Sequence, residues 1–130
     1  AQFAIVTEVG PEVLAGSSRM KAGTAQKMVL NMITTGTMTR LGYVYGNLMV
    51  NLRLKNTKLA ERGINILQHA ARVDREDARH ALATAQHDVP LALVMLKAGV
   101  PRSQAARALQ ATAGHVRKAI VLAQKSKRTR

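Results

Sequence analysis

The sequence has no cysteine and no tryptophan, and only one phenylalanine and two tyrosines in 130 residues. Without cysteine there is no disulfide framework and no thiolate chemistry, which fits a reducing cytoplasm without establishing it. With Phe3, Tyr43 and Tyr45 as its whole aromatic complement, the chain offers hardly any stacking platform for single-stranded nucleic acid. Long apolar runs are also missing. The 47% of apolar residues is ordinary for a globular protein and is spread along the chain, so no membrane span is expected. Ala1–Val6 shows neither a basic leader nor a small-residue cleavage pattern and reads as folded protein.

Acidic residues are scarce, 7 against 20 Lys and Arg, for a net charge of +13. Such a balance raises the question of nucleic acid or an anionic surface. Its distribution argues against a dedicated footprint, because both halves of the chain are basic and the last six residues, Lys125–Arg130, alone hold four cations. That end reads as a solvated, frayed tail. His69, His80, His87 and His115 are scattered over different expected helices without an i, i+4 pair, so no metal site is expected. Six methionines fall mostly on apolar faces and read as adaptable core filling.

The most informative stretch is Val9–Thr24. It places Ser17, Ser18, Arg19 and Lys21 between Gly16 and Gly23, immediately ahead of a segment with helical periodicity. A helix start leaves backbone N–H groups unpaired and carries partial positive charge, which favours anions. Serine hydroxyls can add hydrogen bonds, a guanidinium a two-pronged contact, and an ammonium a point charge. The candidate phosphate-binding residues are therefore Ser17, Ser18, Arg19 and Lys21. The same residues also suit a plain helix start, where serine caps are common. This is not a Walker loop, since Gly23 is followed by Thr24. Glu8 and Glu12 flank a Gly-Pro turn without helical spacing between them, and Glu12 is expected to hold Arg19 or Lys21 when no ligand is bound.

Around this stretch the chain reads as α/β and then all-α. Phe3–Thr7 is expected to be a buried strand. Ala25, Met28, Val29, Met32 and Ile33 make one helical face from Thr24 to about Gly42, with a bend expected at Gly36. Val44, Leu48, Val50, Leu52 and Leu54 alternate with Asn47, Asn51, Arg53 and Lys55 as a half-buried strand does. Asn56 or Thr57 can cap a helix with an apolar stripe of Leu59, Ile64, Leu67 and Ala71, in which Gly63 is a mild blemish. Beyond Arg72 the pattern is four short helices. They are punctuated by Asp74, Asp88 with Pro90, Gly99, Pro101 and Gly114, and Leu91, Val94, Met95, Leu96, Val100, Ala105, Leu109, Val116, Ile120 and Leu122 form their expected core. The similarity between these helices reads as too weak for a repeat. The expected boundary separates residues 1–72 from 73–130.

Gly10–Lys27, followed by Leu30-Asn31-Met32 and Val44–Val50, resembles the N-acetylmuramic acid 6-phosphate etherases. The glucokinase regulatory protein shares the Gly-Ser-Ser-Arg-Met-Lys core, here Gly16–Lys21, and Val89–Lys97 is similar to the etherases' small helical C-terminal module. Tyr43 stands where the family pattern suggests lysine, and Asn51 where it suggests aspartate. The resemblance implies the second half of a parallel-sheet sugar-isomerase (SIS) sandwich domain over 1–72 and a UBA-like helical module over 73–130. It further implies a cytoplasmic homodimer without metal or organic cofactor, and a carbon–oxygen lyase that converts N-acetylmuramic acid 6-phosphate to N-acetylglucosamine 6-phosphate and D-lactate. Ser18 and Arg19 match a pair that touches the sugar phosphate in the regulatory protein, with Ser17 and Lys21 behind them. The family's catalytic glutamates have no counterparts here, so this chain by itself is expected to be inactive. The competing readings are a non-catalytic sugar-phosphate-binding regulator and, less favoured, a basic nucleic-acid-binding helical protein.

Overall fold

A computed structural model describes residues 2–128. Ala1, Thr129 and Arg130, the ends of the expected leaderless start and basic tail, lie outside the described residues. The chain divides into two units, one ending at Thr37 and the other beginning at Met38.

In the first unit, residues 2–20 form turns and extended segments ahead of helix α1 (Lys21–Arg40). The expected strand at Phe3–Thr7 is not formed. A strand exists only through ladder hydrogen bonds to a neighbour, and among the described residues none pairs with it; Phe3 is 85% and Val6 79% exposed. α1 begins three residues earlier than expected and is continuous through Gly36. In its threonine-rich stretch the Thr34 hydroxyl donates back to Leu30 O at 2.8 Å. The expected apolar face is present but largely uncovered: no residue of α1 is buried, Ala25 and Val29 are half-buried, and Met28, Met32 and Ile33 are exposed.

The second unit holds the core. α1 ends in a Schellman arrangement, with Gly42 in the left-handed region (φ 82°), its N–H donating to Thr39 O and that of Tyr43 to Met38 O. The expected single strand over 44–54 is instead a two-residue hairpin. β1 (Val44–Tyr45) pairs antiparallel with β2 (Leu48–Met49) in the register Val44↔Met49, and Gly46 sits at φ 63° in the turn. Gly46-Asn47 between apolar residues is a tight-turn signal that outweighs strand continuity. The alternation nevertheless holds in its packing. Val50 is fully buried with Leu48, Leu52 and Leu54 against the core, while Asn47, Asn51, Arg53 and Lys55 face solvent.

Five helices follow: α2 (Thr57–Ala71), α3 (Arg75–Thr84), α4 (Val89–Ala98), α5 (Arg102–Ala111) and α6 (Val116–Arg128). The starts of α2, α3 and α4 are set by side-chain caps expected from the sequence, while α5 starts after Pro101 without a side-chain cap. Asn56 accepts from Leu59 N at 2.9 Å, Asp74 from Asp77 N at 2.8 Å and Asp88 from Leu91 N at 2.9 Å. α4 is apolar nearly all round and is the central element, touching α2, α3, α5 and α6 and burying Leu93, Val89 and Val94 completely. Gly63 is no blemish: a Cβ there would stand 3.1 Å from Val89 Cγ2, so the glycine is what lets α2 approach α4. Leu122 is exposed, and Ala119 and Ala123 take the inward positions of α6. Lys125–Arg128 is helical rather than frayed, with its side chains exposed.

The helices also repeat, which sequence similarity alone did not reveal. In the α3–α4 turn His87 N donates to Leu82 O, Gln86 N to Ala83 O and Asp88 N to Ala85 O. In the α5–α6 turn Gly114 N donates to Leu109 O, Ala113 N to Gln110 O and His115 N to Thr112 O. Both turns use two left-handed residues, Gln86 and His87 in one and Ala113 and Gly114 in the other. Val89, Ala92 and Leu93 are buried as Val116, Ala119 and Ile120 are. The resemblance resides in backbone geometry and burial, and most exposed positions differ.

Candidate functional site

The Gly10–Thr24 stretch forms a loop cinched where it meets α1. Glu12 reaches across ten residues of sequence to the helix start, its Oε1 and Oε2 accepting from Lys21 N at 3.1 and 2.9 Å and its Oε1 also from Ala22 N at 3.0 Å. The Lys21 ammonium donates to Pro11 O at 3.0 Å. Within the loop, Ser17 N donates to Leu14 O and Ser18 N to Gly16 O, with Gly10 and Gly16 in left-handed conformations (φ 67° and 81°) that shape the reversals.

Glu12 therefore holds the backbone of the cationic turn, and Lys21 through its backbone amide, rather than pairing with Arg19. Those amide hydrogen bonds, with the nearby Lys21 charge adding to them, keep the Glu12 carboxyl below its ordinary pKa. The remaining N–H groups of the first turn are also used, Gly23 N by Ser18 O at 2.8 Å and Thr24 N by Met20 O at 3.3 Å. The amides of Lys21–Thr24 are thus all engaged within the chain. The anion position favoured by the helix dipole is filled from within the chain.

Side chains remain for binding. Ser18 and Arg19 line one open hollow of about 600 Å³, together with Thr7 and Gln26 as its other polar groups and Ile5, Val29 and Leu30 as apolar wall. Ala22 and Gly23 keep the helix side of it low. Of the four residues singled out from sequence, the structure brings Ser18 and Arg19 together here. Lys21 lies on another hollow with Val13, Met20 and Met28, which Arg19 also borders. Ser17 is half-buried and lines neither. Among the described residues Arg19 makes no ion pair, so its guanidinium keeps its capacity for an oxyanion.

Thr7 and Gln26 were not singled out from the sequence. Gln26 had a legible signal, because Gly23 and Gln26 are three residues apart on one face of α1, just after Arg19 in sequence. Thr7 had none, since its place depends on how the extended segment returns to α1. Among the described residues that line it, the hollow has no carboxylate and no imidazole. It can bind an anion and hydroxyl groups, but it has no group with which to move a proton from carbon at neutral pH.

A family described as the C-terminal lid domain of glucokinase regulatory protein matches residues 46–89. The N-acetylmuramic acid 6-phosphate etherase of Clostridium acetobutylicum is 51% identical over 117 residues, covering 90% of this chain and 39% of that protein. Those of Yersinia pestis and Yersinia pseudotuberculosis are 48% identical over 120 residues, covering 92% of this chain and 41% of each protein. The resemblance carried by Gly10–Lys27 therefore extends over nearly the whole chain. The chain spans about two fifths of the length of the curated relatives it matches.

Proposed function

We propose that the chain is the C-terminal part of an N-acetylmuramic acid 6-phosphate etherase and supplies a phosphosugar-binding wall of its active site. The observation that carries this reading is the pairing of Ser18 and Arg19 on one hollow, in a chain about half identical to proteins of that name over nine tenths of its length. Arg19 takes two oxygens of the sugar's 6-phosphate, Ser18 donates its hydroxyl to a third, and Thr7 and Gln26 lie within the same hollow for sugar hydroxyls. Ser17 and Lys21 act behind them, Lys21 through its hold on Pro11 O.

The reaction is elimination of the lactyl ether, in which the proton next to the opened sugar's aldehyde is removed, D-lactate leaves, and water adds to give N-acetylglucosamine 6-phosphate. It requires a base for the carbon acid and an acid for the departing ether oxygen. The hollow has neither, and Glu12 is engaged by two amides. The residues of this chain bind and orient, and the acid–base pair comes from protein beyond these 130 residues. The same reading makes residues 1–72 the second half of a parallel-sheet SIS sandwich, which gives the exposed apolar side chains of α1 and the unpaired Phe3–Thr7 segment their covering neighbours. It makes 73–130 a UBA-like module, and the whole a cytoplasmic homodimer.

The experiment fuses the chain to the part of the Clostridium acetobutylicum relative that it does not span and measures D-lactate release from N-acetylmuramic acid 6-phosphate. Activity is expected, with kcat/KM falling about 10- to 100-fold in Arg19→Ala, the size of a lost charge-assisted contact. No lactate, or full activity in Arg19→Ala, overturns the reading. A second reading, a sugar-phosphate sensor without catalysis, is favoured by the lid-domain match over 46–89. It is distinguished by calorimetric binding of the substrate without lactate release.

A further inference from the structure

None of residues 2–37 is buried among the described residues, so within this chain no apolar core fixes the loop that carries Ser18 and Arg19. What closes it is polar: the three contacts from Glu12 to the amides of Lys21 and Ala22, and the ammonium of Lys21 on Pro11 O. These lie at the neck of the loop, on the residues that begin and end it. Ser18 is joined to the same structure through Gly23 N, one residue beyond Ala22.

We infer that Glu12 is a positioning residue for the Ser18–Arg19 hollow, the clasp at the neck of the loop. It holds those two side chains on the hollow and keeps the first amides of α1 closed to the ligand's anion. The inference rests on the reading of that hollow as a phosphosugar-binding wall.

It makes a prediction opposite in sign to simple charge repulsion. A carboxylate beside a phosphate site repels the ligand, so on electrostatics alone Glu12→Ala would tighten binding. If Glu12 is the clasp, its removal leaves the loop to be ordered by the ligand, and binding weakens. Glu12→Gln separates the two effects further: it removes the charge but keeps a carbonyl oxygen able to accept from Lys21 N or Ala22 N.

The test follows backbone amides of the full chain by NMR during titration with N-acetylmuramic acid 6-phosphate. In the unsubstituted chain the Ser18 and Arg19 amides are expected to shift while those of Lys21 and Ala22 keep their Glu12-bonded positions. Glu12→Ala is expected to weaken affinity roughly tenfold through lost preorganisation, with Glu12→Gln recovering part of the loss. Unchanged signals from the α2–α6 core show that the fold is intact in each variant. Shifts at Ser18 and Arg19 combined with equal or tighter binding by Glu12→Ala overturn the positioning role alone. So does displacement of Glu12 from the Lys21 and Ala22 amides on binding. Absence of any shift at Ser18 and Arg19 overturns the binding reading and the role of Glu12 with it.

Discussion

Replacing Gly63 by alanine sets two well-characterised effects against each other at one atom. Glycine inside a helix costs about 0.8–1.0 kcal/mol relative to alanine, so propensity alone makes Gly63→Ala stabilising by that amount. The added methyl would stand 3.1 Å from Val89 Cγ2 and 3.3 Å from both terminal carbons of Leu54. Leu54 is half-buried and can turn aside, but Val89 is fully buried near the start of α4, and its branched side chain has essentially one helical rotamer. Relief must come from moving α2 away from α4, and overpacking of this kind costs about 1–3 kcal/mol. The net expectation is a destabilisation of about 1 kcal/mol, which for a unit of this size lowers Tm by roughly 4–8 °C in thermal unfolding followed by circular dichroism. The double variant Gly63→Ala, Val89→Ala checks the cause, because removing the opposing methyls should make the first substitution favourable, with a coupling of at least about 0.5 kcal/mol. A rise in Tm for Gly63→Ala alone, or strict additivity in the double variant, refutes the close-approach argument.

Leu93→Ala, at the fully buried centre of α4, is expected to cost about 3–5 kcal/mol in urea unfolding, whereas Leu122→Ala on the open face of α6 should cost under about 1 kcal/mol. Similar losses at the two sites would show that α6 is rotated relative to its described packing. The lowered pKa of Glu12 fixes a pH dependence for the loop. Folding favours the ionised carboxyl, so its contribution is complete above the ordinary value of 4.5 and is lost as pH falls through the lowered folded value. The Lys21 and Ala22 amide shifts should therefore titrate with a midpoint below 4.5, and the titration should vanish in Glu12→Gln. A midpoint at or above the ordinary value would mean that the clasp is not formed in solution.

Sequence alone determined the features whose cause is local. Asn56, Asp74 and Asp88 cap helices because a short polar side chain reaches the amide three residues on, and Gly99 ends α4 because it accepts the left-handed conformation at little cost. The alternation over 48–55 fixed which side chains face inward even where the strand itself did not form, since side-chain direction follows backbone extension and not ladder pairing. The family motif likewise singled out Ser18 and Arg19 before any geometry was known.

Tertiary structure decided what depends on partners distant in sequence. It gave Phe3–Thr7 no pairing strand among the described residues, left most of the face of α1 uncovered, and made Gly63 a point of close approach to Val89. It closed the amides of the α1 start with Glu12, a residue without helical spacing to either. Hydrogen bonds and packing across a fold depend on distances that composition and periodicity do not encode. A turn legible in sequence as a general anion site therefore became, in three dimensions, a loop in which Glu12 and chain carbonyls take the amides of Lys21–Thr24 and the side chains of Ser18 and Arg19 line one hollow.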